Sequence, residues 1–470
     1  MNRTVGQQEN HYLPDDTICA IATPAGVGSI GVIRVSGQLS LAIVSKIFNG
    51  KKRNGFTSHT VHHGEIIDPS TDHVIDEALV LFMKGPHSYT GEDVVEIQSH
   101  GNPLLLQKIV SVLLSCGARL ADPGEFTRRA FLAGKMDLAQ AEAVMEMISA
   151  QSHSAQAMAL NQLRGKLSEK IYIVRAEIVS LLSHIEASID FTEQGIDLCS
   201  QEEIVARIDK PYQLIGDLLS RYEEGRQIRE GTSVVIIGRP NVGKSSILNR
   251  LLGEDRAIVT PIPGTTRDTL EEGFNLQGHL VKIIDTAGMR ETTDSIEQEG
   301  VRRGQAELEK ADIALFILDA SKTMDPKDIV LGDKISGKKK IVVLNKSDLP
   351  FCMDMDAIQA QYPKDPIVSI SAITGHGFDD LKNKLVSLMI AEEKEPPMVA
   401  LMRHKHALER AESAMKRALQ FAKENVEENP AVEFMASDLR EALDALGEIV
   451  GETTTDEILD QIFNQFCIGK

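Results

Sequence analysis

The sequence predicts a multidomain chain that combines an α+β part at its N-terminus, an all-α part in two separate pieces, and an α/β part inserted between those pieces. Three observations carry this. Residues 1–120 alternate short β-branched runs with two helix-like runs. Residues 121–227 and 385–470 place apolar residues at helical spacing with little strand character. Between them, residues 228–384 repeat a β-branched run, a Gly- or Asn-rich loop and a helix-like segment. With 470 residues the chain is too long for one hydrophobic core.

In the first part, Thr17 to Ala22 and Ile30 to Val35 read as strands around the turn Pro24 to Ser29. The turn contains Gly26-x-Gly28-x-x-Gly31, but a dinucleotide fingerprint must open a helix, and this one runs into a β-branched strand. It is turn chemistry. His59 to Ile67, Ala78 to Met83 and Asp93 to Gln98 add strands, and Leu39 to Phe48 and Leu104 to Leu114 add helices. The histidines of this part lack ligand spacing, and His62 and His63 point to opposite faces of one strand. Arg34 lies between Ile33 and Val35, and Glu96 between Val95 and Ile97, which places each on the face of its strand turned from the core, ordinarily the solvated one.

Helix begins after Asp122-Pro123-Gly124-Glu125-Phe126. Asp137 with Gln140 makes a capping box ahead of Ala141, Val144, Met145 and Ile148. A second helix carries Leu167, Ile171, Val174, Ile178, Leu181, Ile185 and Ile189, and a third runs from Ile204 to Tyr222. Beyond the linker Glu392 to Pro397, helical stripes return at Leu408 to Leu419, Met435 to Leu446 and Ile458 to Phe466. Helices on both sides of the α/β part form one discontinuous bundle with that part as an insertion.

The chemistry is densest in the insertion. Val234 to Ile237 leads into Gly238-Arg239-Pro240-Asn241-Val242-Gly243-Lys244-Ser245 and then the helix-like Ser246 to Leu252. Strand, glycine loop and helix in that order make a phosphate loop. Its backbone N–H groups and the helix N-terminus face a polyphosphate, Lys244 meets the outer phosphates, and Ser245 offers a hydroxyl to Mg²⁺. Gly264-Thr265-Thr266-Arg267-Asp268, Asp285-Thr286-Ala287-Gly288, Asn345-Lys346-Ser347-Asp348 and Ser371-Ala372 follow in the order of a Ras-like guanine-nucleotide switch. Thr266 supplies a second hydroxyl to Mg²⁺, Asp285 holds the ion through water, and the Gly288 N–H senses the γ-phosphate. Asp348 accepts two hydrogen bonds from a guanine edge, a donor pair that adenine lacks, so the nucleotide is GTP. Met289 follows Gly288 where such switches place a water-orienting glutamine. An apolar Met cannot orient water, and Glu297, in the acidic stretch Glu291 to Glu299, is the candidate replacement.

Composition narrows the partners. A net charge of −19 argues against indiscriminate nucleic-acid binding, and the absence of Trp with only 4% aromatic residues disfavours a stacking platform for single strands. No apolar run is long enough for a membrane span and Met1 to Asn10 has no signal-peptide layout, so a cytoplasmic protein without a membrane partner is expected. Five separated cysteines show no zinc or disulfide spacing.

The flanking motifs carry a family resemblance over essentially the whole chain. Ala22-Thr23-Pro24 to Arg34-Val35-Ser36-Gly37, Tyr89-Thr90-Gly91-Glu92-Asp93, Pro123-Gly124-Glu125-Phe126, Ala139-Gln140-Ala141-Glu142-Ala143, Gly264 to Asp268 and the terminal Cys467-Ile468-Gly469-Lys470 resemble the MnmE (TrmE) family of tRNA-modification GTPases. The resemblance implies a tetrahydrofolate-binding-like fold for the N-terminal α+β domain, which also forms a homodimer. It implies 5-formyltetrahydrofolate or a related folate as ligand, with Arg34, Glu96, Lys135 and Lys470 as contacts. It also implies action on tRNA with the flavoprotein partner MnmG, placing an aminomethyl or carboxymethylaminomethyl group on carbon 5 of the wobble uridine. For the nucleotide domain it implies face-to-face pairing, with K⁺ bound by Asn241 and by Thr260, Ile262 and Thr265 of the loop Thr260-Pro261-Ile262-Pro263-Gly264-Thr265, and water orientation by Glu297. The GTP-contacting set is then Asn241, Val242, Gly243, Lys244, Ser245, Ser246, Thr260 to Thr266, Asp285 to Gly288, Asn345 to Asp348, Ser371 and Ala372, with Lys244, Thr266 and Glu297 catalytic.

Two other classes fit parts of the sequence. A ribosome-assembly GTPase needs an RNA-binding appendage with a Gly-x-x-Gly loop and a basic face, which is not apparent outside the nucleotide domain. A folate-dependent one-carbon transferase regulated by GTP would act without MnmG. The segment Ile458 to Phe466 anchors Cys467 to Lys470 at a fixed place, so a ligand-contact role for Lys470, and a chemical role for Cys467, stand against the usual frayed terminus.

Overall fold

The computed structural model describes residues 16–50, 55–190, 200–254, 272–284, 308, 311–389, 397–424 and 429–470. They fall into two compact units, one of residues 1–145 with 447–470 and the other of residues 146–446.

The first unit is built on a seven-stranded sheet of order β3-β4-β5-β6-β2-β1-β7. Its strands are β1 (Ile18–Ile21), β2 (Gly28–Ser36), β3 (Phe48–Gly50), β4 (Thr60–Asp68), β5 (His73–Met83), β6 (Val94–Gly101) and β7 (Arg119–Leu120). All neighbours pair antiparallel except β1 with β7. Strand alternation sends Ile33, Val35, Val80, Phe82, Val95 and Ile97 to one face. There α1 (Ser40–Ile47) and α2 (Pro103–Ser115) cover them with Ile43, Val44, Ile47, Ile109 and Leu113. The glycine turn expected before Ile30 is present, and β2 starts at Gly28 within it. Gly31 admits α2 closely, because a Cβ there would stand 2.6 Å from Leu106.

The opposite face of this sheet is not simply solvated. Ile18 and Ala20 of β1 share it with Arg34, and they pack against Ala121, Phe126 and Tyr89. Phe126 belongs to α3 (Glu125–Leu132), a helix the hydrophobic pattern did not resolve because its buried face includes Glu125, Thr127 and Arg129. α4 (Leu138–Ser149) begins with the expected capping box: the Gln140 N–H donates to Asp137 at 2.9 Å and the Asp137 N–H to Gln140 at 3.0 Å. Leu138 and Ala141 of α4 then pack on Leu459 and Phe463 of α15 (Asp456–Phe463) and on Phe466 just beyond it.

The second unit contains a six-stranded sheet of order β13-β12-β11-β8-β10-β9. Its strands are β8 (Thr232–Ile237), β9 (Glu272–Leu276), β10 (His279–Ile284), β11 (Ile313–Asp319), β12 (Lys339–Asn345) and β13 (Ile367–Ser369). β9 and β10 form the antiparallel pair that the runs Leu270 to Leu276 and Leu280 to Ile284 predict, and the remaining neighbours are parallel. Both faces are covered, as unbroken apolar runs such as Val234 to Ile237 require. α9 (Lys244–Glu254) and α12 (Phe378–Met389) cover one, and α10 (Pro326–Lys334) and α11 (Met355–Gln361) flank the same sheet.

The helices of this unit are α5 (His153–Leu163), α6 (Lys166–Asp190), α7 (Gln201–Ser220), α8 (Tyr222–Glu230), α13 (Met402–Glu424) and α14 (Asn429–Val450). Segments from both sides of the insertion pack together. The Gln201 side chain donates to the Ala422 and Lys423 carbonyls, and Arg175 donates to that of Leu443. The third helix expected to run to Tyr222 instead stops at Ser220, where Arg221 leaves helical geometry at φ −104° and ψ 4°, and α8 starts anew. α8 joins the bundle to the sheet through Arg226, whose Nη2 donates to Asp312 at 2.7 Å.

The buried Glu125 carboxylate generates a prediction. Burial pushes its pKa up, but hydrogen bonds from Arg119, the Asp122 N–H and Arg129 outweigh that and hold it below the ordinary value; Asp16 is lowered in the same way by Arg129 and Arg119. A carboxyl depressed in the native state contributes stability that is complete above about pH 4 and is lost as pH falls through the native pKa. Glu125→Ala should cost about 1.5–3 kcal/mol, because Arg119 and Arg129 lose one carboxylate while Arg129 keeps Asp16 and Glu92, and it should flatten the acid limb of stability. Urea unfolding of the full chain, followed by hydrogen exchange at β1 and β2, checks both; a wild-type midpoint at neutral pH would contradict it.

Candidate functional sites

Parallel strands β8, β11, β12 and β13 deliver their carboxyl ends to one edge of the sheet, the usual ligand edge of such folds. The loop after β8 turns through Asn241 at φ 66° and Gly243 at φ 101°, and α9 starts at the next residue. Gly243 is required twice over. Its φ is left-handed, and a Cβ would run into the Asn345 amide. Asn241, Ser245 and Ser246 are exposed at the mouth of the loop, so the Ser245 hydroxyl, a hard oxygen at a helix N-terminus, fits a Mg²⁺ ligand. Lys244 Nζ donates to the Gly238 and Arg239 carbonyls at 2.7 and 2.9 Å. Arg239 fixes the loop from behind, donating to Asp325 at 2.7 Å and to the buried Asp328 at 2.8 Å at the start of α10.

The base end is interlocked with this loop. Asn345 Nδ2 donates to the Val242 carbonyl at 2.8 Å, and Asn345 Oδ1 accepts from the Ala372 N–H at 3.1 Å. Ser371 Oγ donates to Asp348 at 2.6 Å. Lys346, at φ 66°, reaches back to Asp319 at 2.6 Å. Burial pushes the Asp319 carboxyl up, and the hydrogen bonds from Lys346 and Ser321 more than offset this, leaving its pKa below the usual value. The structure thus brings together Asn241 to Ser246, Asn345 to Asp348, Ser371 and Ala372. Thr260 to Thr266, Asp285 to Gly288, Met289 and Glu297 lie outside the described residues, although β10 ends at Ile284, immediately before Asp285.

In the first unit, the β2 and β6 register puts Arg34 directly opposite Glu96. Arg34 Nε and Nη2 donate to one Glu96 oxygen at 3.0 and 2.8 Å, with side chains 15% and 17% exposed. The pair is largely shielded from bulk water, which strengthens the attraction between the two charges. The Arg34 guanidinium lies 5.1 Å from the Tyr89 ring centre and 5.6 Å from that of Phe126. The Tyr89 hydroxyl shares a hydrogen bond with Thr127 at 2.9 Å.

The terminal segment folds onto this place. The Phe126 N–H donates to the Lys470 main-chain oxygen at 3.2 Å. Gly469, at φ 99°, is buried so close to the Ile21 carbonyl that a Cβ would overlap it. Burial pushes the Lys470 ammonium pKa down, Arg34 adds to that, and Glu96 and Cys467 partly oppose it. The Lys470 ammonium therefore lies near enough to the Arg34–Glu96 pair to feel both charges. Lys135 donates to the Pro86 carbonyl at 2.8 Å, on the segment leading to Tyr89, and Cys467 is an exposed free thiol. Sequence reasoning misses Tyr89 and Phe126 as partners of Arg34; the signal is an aromatic in each of two polar, Gly-containing runs. Among the described residues there is no cluster of metal-ligating side chains, and no helix long and apolar enough to cross a membrane.

Comparison with known proteins adds the following. The family model for the MnmE helical domain matches residues 138–467, and that for the GTP-binding protein TrmE N-terminus matches residues 17–135. The tRNA modification GTPase MnmE of Natranaerobius thermophilus is 45% identical over 462 residues, spanning 97% of this chain and 100% of the relative. That of Geotalea uraniireducens is 45% identical over 459 residues, spanning 97% and 99%. Among solved structures, Aquifex aeolicus Era bound to GDP·AlF4⁻ is 32% identical and covers 39% of this chain and 67% of its own, with a TM-score of 0.28.

Proposed function

The chain belongs to the MnmE family of tRNA modification GTPases, and from that premise we propose that this GTP-hydrolysing, tRNA-modifying protein installs an aminomethyl or carboxymethylaminomethyl group on carbon 5 of the wobble uridine, together with the flavoprotein MnmG. The observation that carries the one-carbon part is the seating of Gly469 and Lys470 beside the Arg34–Glu96 pair. A folate offers donors on its pterin edge to a carboxylate and an anionic glutamate tail to guanidinium and ammonium groups. Arg34, Glu96 and Lys470 supply those groups, and Lys135 extends the positive charge. Cys467, an exposed free thiol two residues before Gly469, is the further chemical candidate. In this reading residues 1–120 are the folate-binding, dimer-forming domain. Residues 121–227 and 385–470 form the helical domain, residues 228–384 the GTPase domain, and the protein works in the cytoplasm as a homodimer.

For hydrolysis, the phosphate loop and the α9 N-terminus hold the polyphosphate, and Lys244 turns from its two loop carbonyls to the outer phosphates. Ser245 and Thr266 would hold Mg²⁺, which would supply neutralisation of the charge on the outer phosphates. Asn241, at an exposed left-handed corner, would hold K⁺ together with Thr260, Ile262 and Thr265, and Glu297 would take the water-orienting role that Met289 cannot.

The function is tested by mass spectrometry of tRNA wobble uridines in cells lacking the chain. Full-length protein should restore the modification, and protein without residues 467–470 should not, while GTP turnover of that truncated protein stays within about twofold of wild type. Unmodified uridines in the presence of the full chain, or wild-type modification by the truncated chain, would overturn the respective parts. Calorimetry with 5-formyltetrahydrofolate should show binding weakened by about tenfold or more in Arg34→Ala and in Glu96→Ala; wild-type affinity in both removes the folate site. GTP turnover should fall about a hundredfold when Na⁺ replaces K⁺, and Glu297→Ala should lower turnover with little change in GTP affinity. Equal rates in the two salts would exclude the K⁺ role.

A further inference from the structure

We infer that Asp319, which lies outside every nucleotide-binding motif of the sequence, is a positioning residue for guanine recognition and acts through Lys346. The inference rests on reading Asn345 to Asp348 as the guanine loop. β11 and β12 run parallel in a register that pairs Asp319 with Asn345 at the carboxyl end of each strand. Asp319 is 3% exposed. One of its oxygens accepts from the Ser321 N–H at 3.1 Å and from Ser321 Oγ at 2.6 Å, and the other from Lys346 Nζ at 2.6 Å.

The geometry explains why a buried carboxylate stands there. Lys346 leaves the strand at φ 66°, a left-handed conformation that a Lys side chain rarely adopts. From that turn its side chain crosses from β12 to β11 and ends on Asp319. Its neighbours in the loop are held from other directions, Asn345 by Val242 and Ala372, and Asp348 by Ser371. Lys346 is the rotamer-rich member of the loop, and on its own it would lose that freedom only when a base arrives. Tied to Asp319, it loses the freedom on folding, so the loop is already arranged when guanine meets Asp348. Lys322, 3.9 Å from the same carboxylate and exposed, adds charge but no fixed geometry. A strand-end carboxylate that merely capped Ser321 would need no second partner on the recognition loop.

The test is a double-mutant cycle on the full chain, read by fluorescence titration with N-methylanthraniloyl-GDP and by steady-state GTP hydrolysis. Asp319→Asn keeps the shape and the acceptor for Ser321 but removes the charge that holds Lys346. It should weaken GDP binding about tenfold, as expected for loss of one charge-assisted hydrogen bond. Turnover at saturating GTP should stay within about twofold, because the effect is on binding. Lys346→Met should weaken binding at least as much, and the double variant should be no weaker than Lys346→Met. Wild-type GDP affinity in Asp319→Asn, or additive losses in the double variant, overturns the inference. Should Asp319→Asn fail to fold, Lys346→Arg probes the contact from the other side, since a guanidinium cannot place a single ammonium at that oxygen. An affinity loss of about fivefold or more supports the role, and wild-type affinity overturns it. Asp348→Asn separates the underlying reading: it should shift preference from guanine to xanthine nucleotides. No shift removes the guanine loop itself, whereas a shift together with a silent Asp319→Asn removes only the positioning role.

Discussion

The N-terminal unit depends on one buried carboxylate that cannot be left unpaired. Glu125 has a fully buried side chain and accepts hydrogen bonds from Arg119 at 2.8 Å and from Arg129 at 2.8 Å. Arg129, itself only 7% exposed, also reaches Asp16 and Glu92. Two guanidinium groups and three carboxylates thus satisfy one another in a place where any single charge would be costly. The consequences are spatial. Asp16 leads into β1, Glu92 accepts from Ser36 at the end of β2, and Glu125 opens α3. Tying these together presses Phe126 against the sheet face that carries Arg34 and presents its N–H to Lys470. The ion cluster therefore sets the wall, the floor and the seat of the terminal segment around the Arg34–Glu96 pair.

The nucleotide edge obeys a different constraint. There the polar residues lie at strand ends, and each is held by a partner from a separate strand or helix: Arg239 by α10, Asn345 by the phosphate loop, Asp348 by Ser371 and Lys346 by Asp319. Order at this edge comes from these hydrogen bonds between separate segments. The same sheet is fastened to the helical bundle at its other side. Ser154 of α5 donates to the Gly278 carbonyl at 2.8 Å beside β10, and Arg226 of α8 donates to Asp312 at 2.7 Å just before β11. β10, held in this way at its start, ends at Ile284, immediately before Asp285.

Much of this was legible from residues close together in the chain. The strand, loop and helix around Gly243, the capping box of Asp137 and Gln140, and the antiparallel pair before Asp285 all rest on local spacing, and the structure forms each of them. Helix α3 was obscure because its buried face is charged, and its burial is made possible only by Asp16 and Glu92 from far along the chain. The break after Ser220 was obscure because the apolar stripe continues through it.

By itself the sequence determined which chemical groups are present and the local geometry they adopt: a phosphate loop, a guanine-type Asn-x-x-Asp loop, an Arg and a Glu each inside an apolar strand, and an anchored terminal tetrapeptide. Periodicity and motif spacing report only on interactions within a few residues. Tertiary structure alone decided that Arg34 faces Glu96, because strand register joins residues 62 positions apart. It alone seated Gly469 and Lys470 beside them and assigned Asp319 to Lys346. Those are pairings between distant segments, selected by which buried charges find partners and which backbone positions leave room for no Cβ.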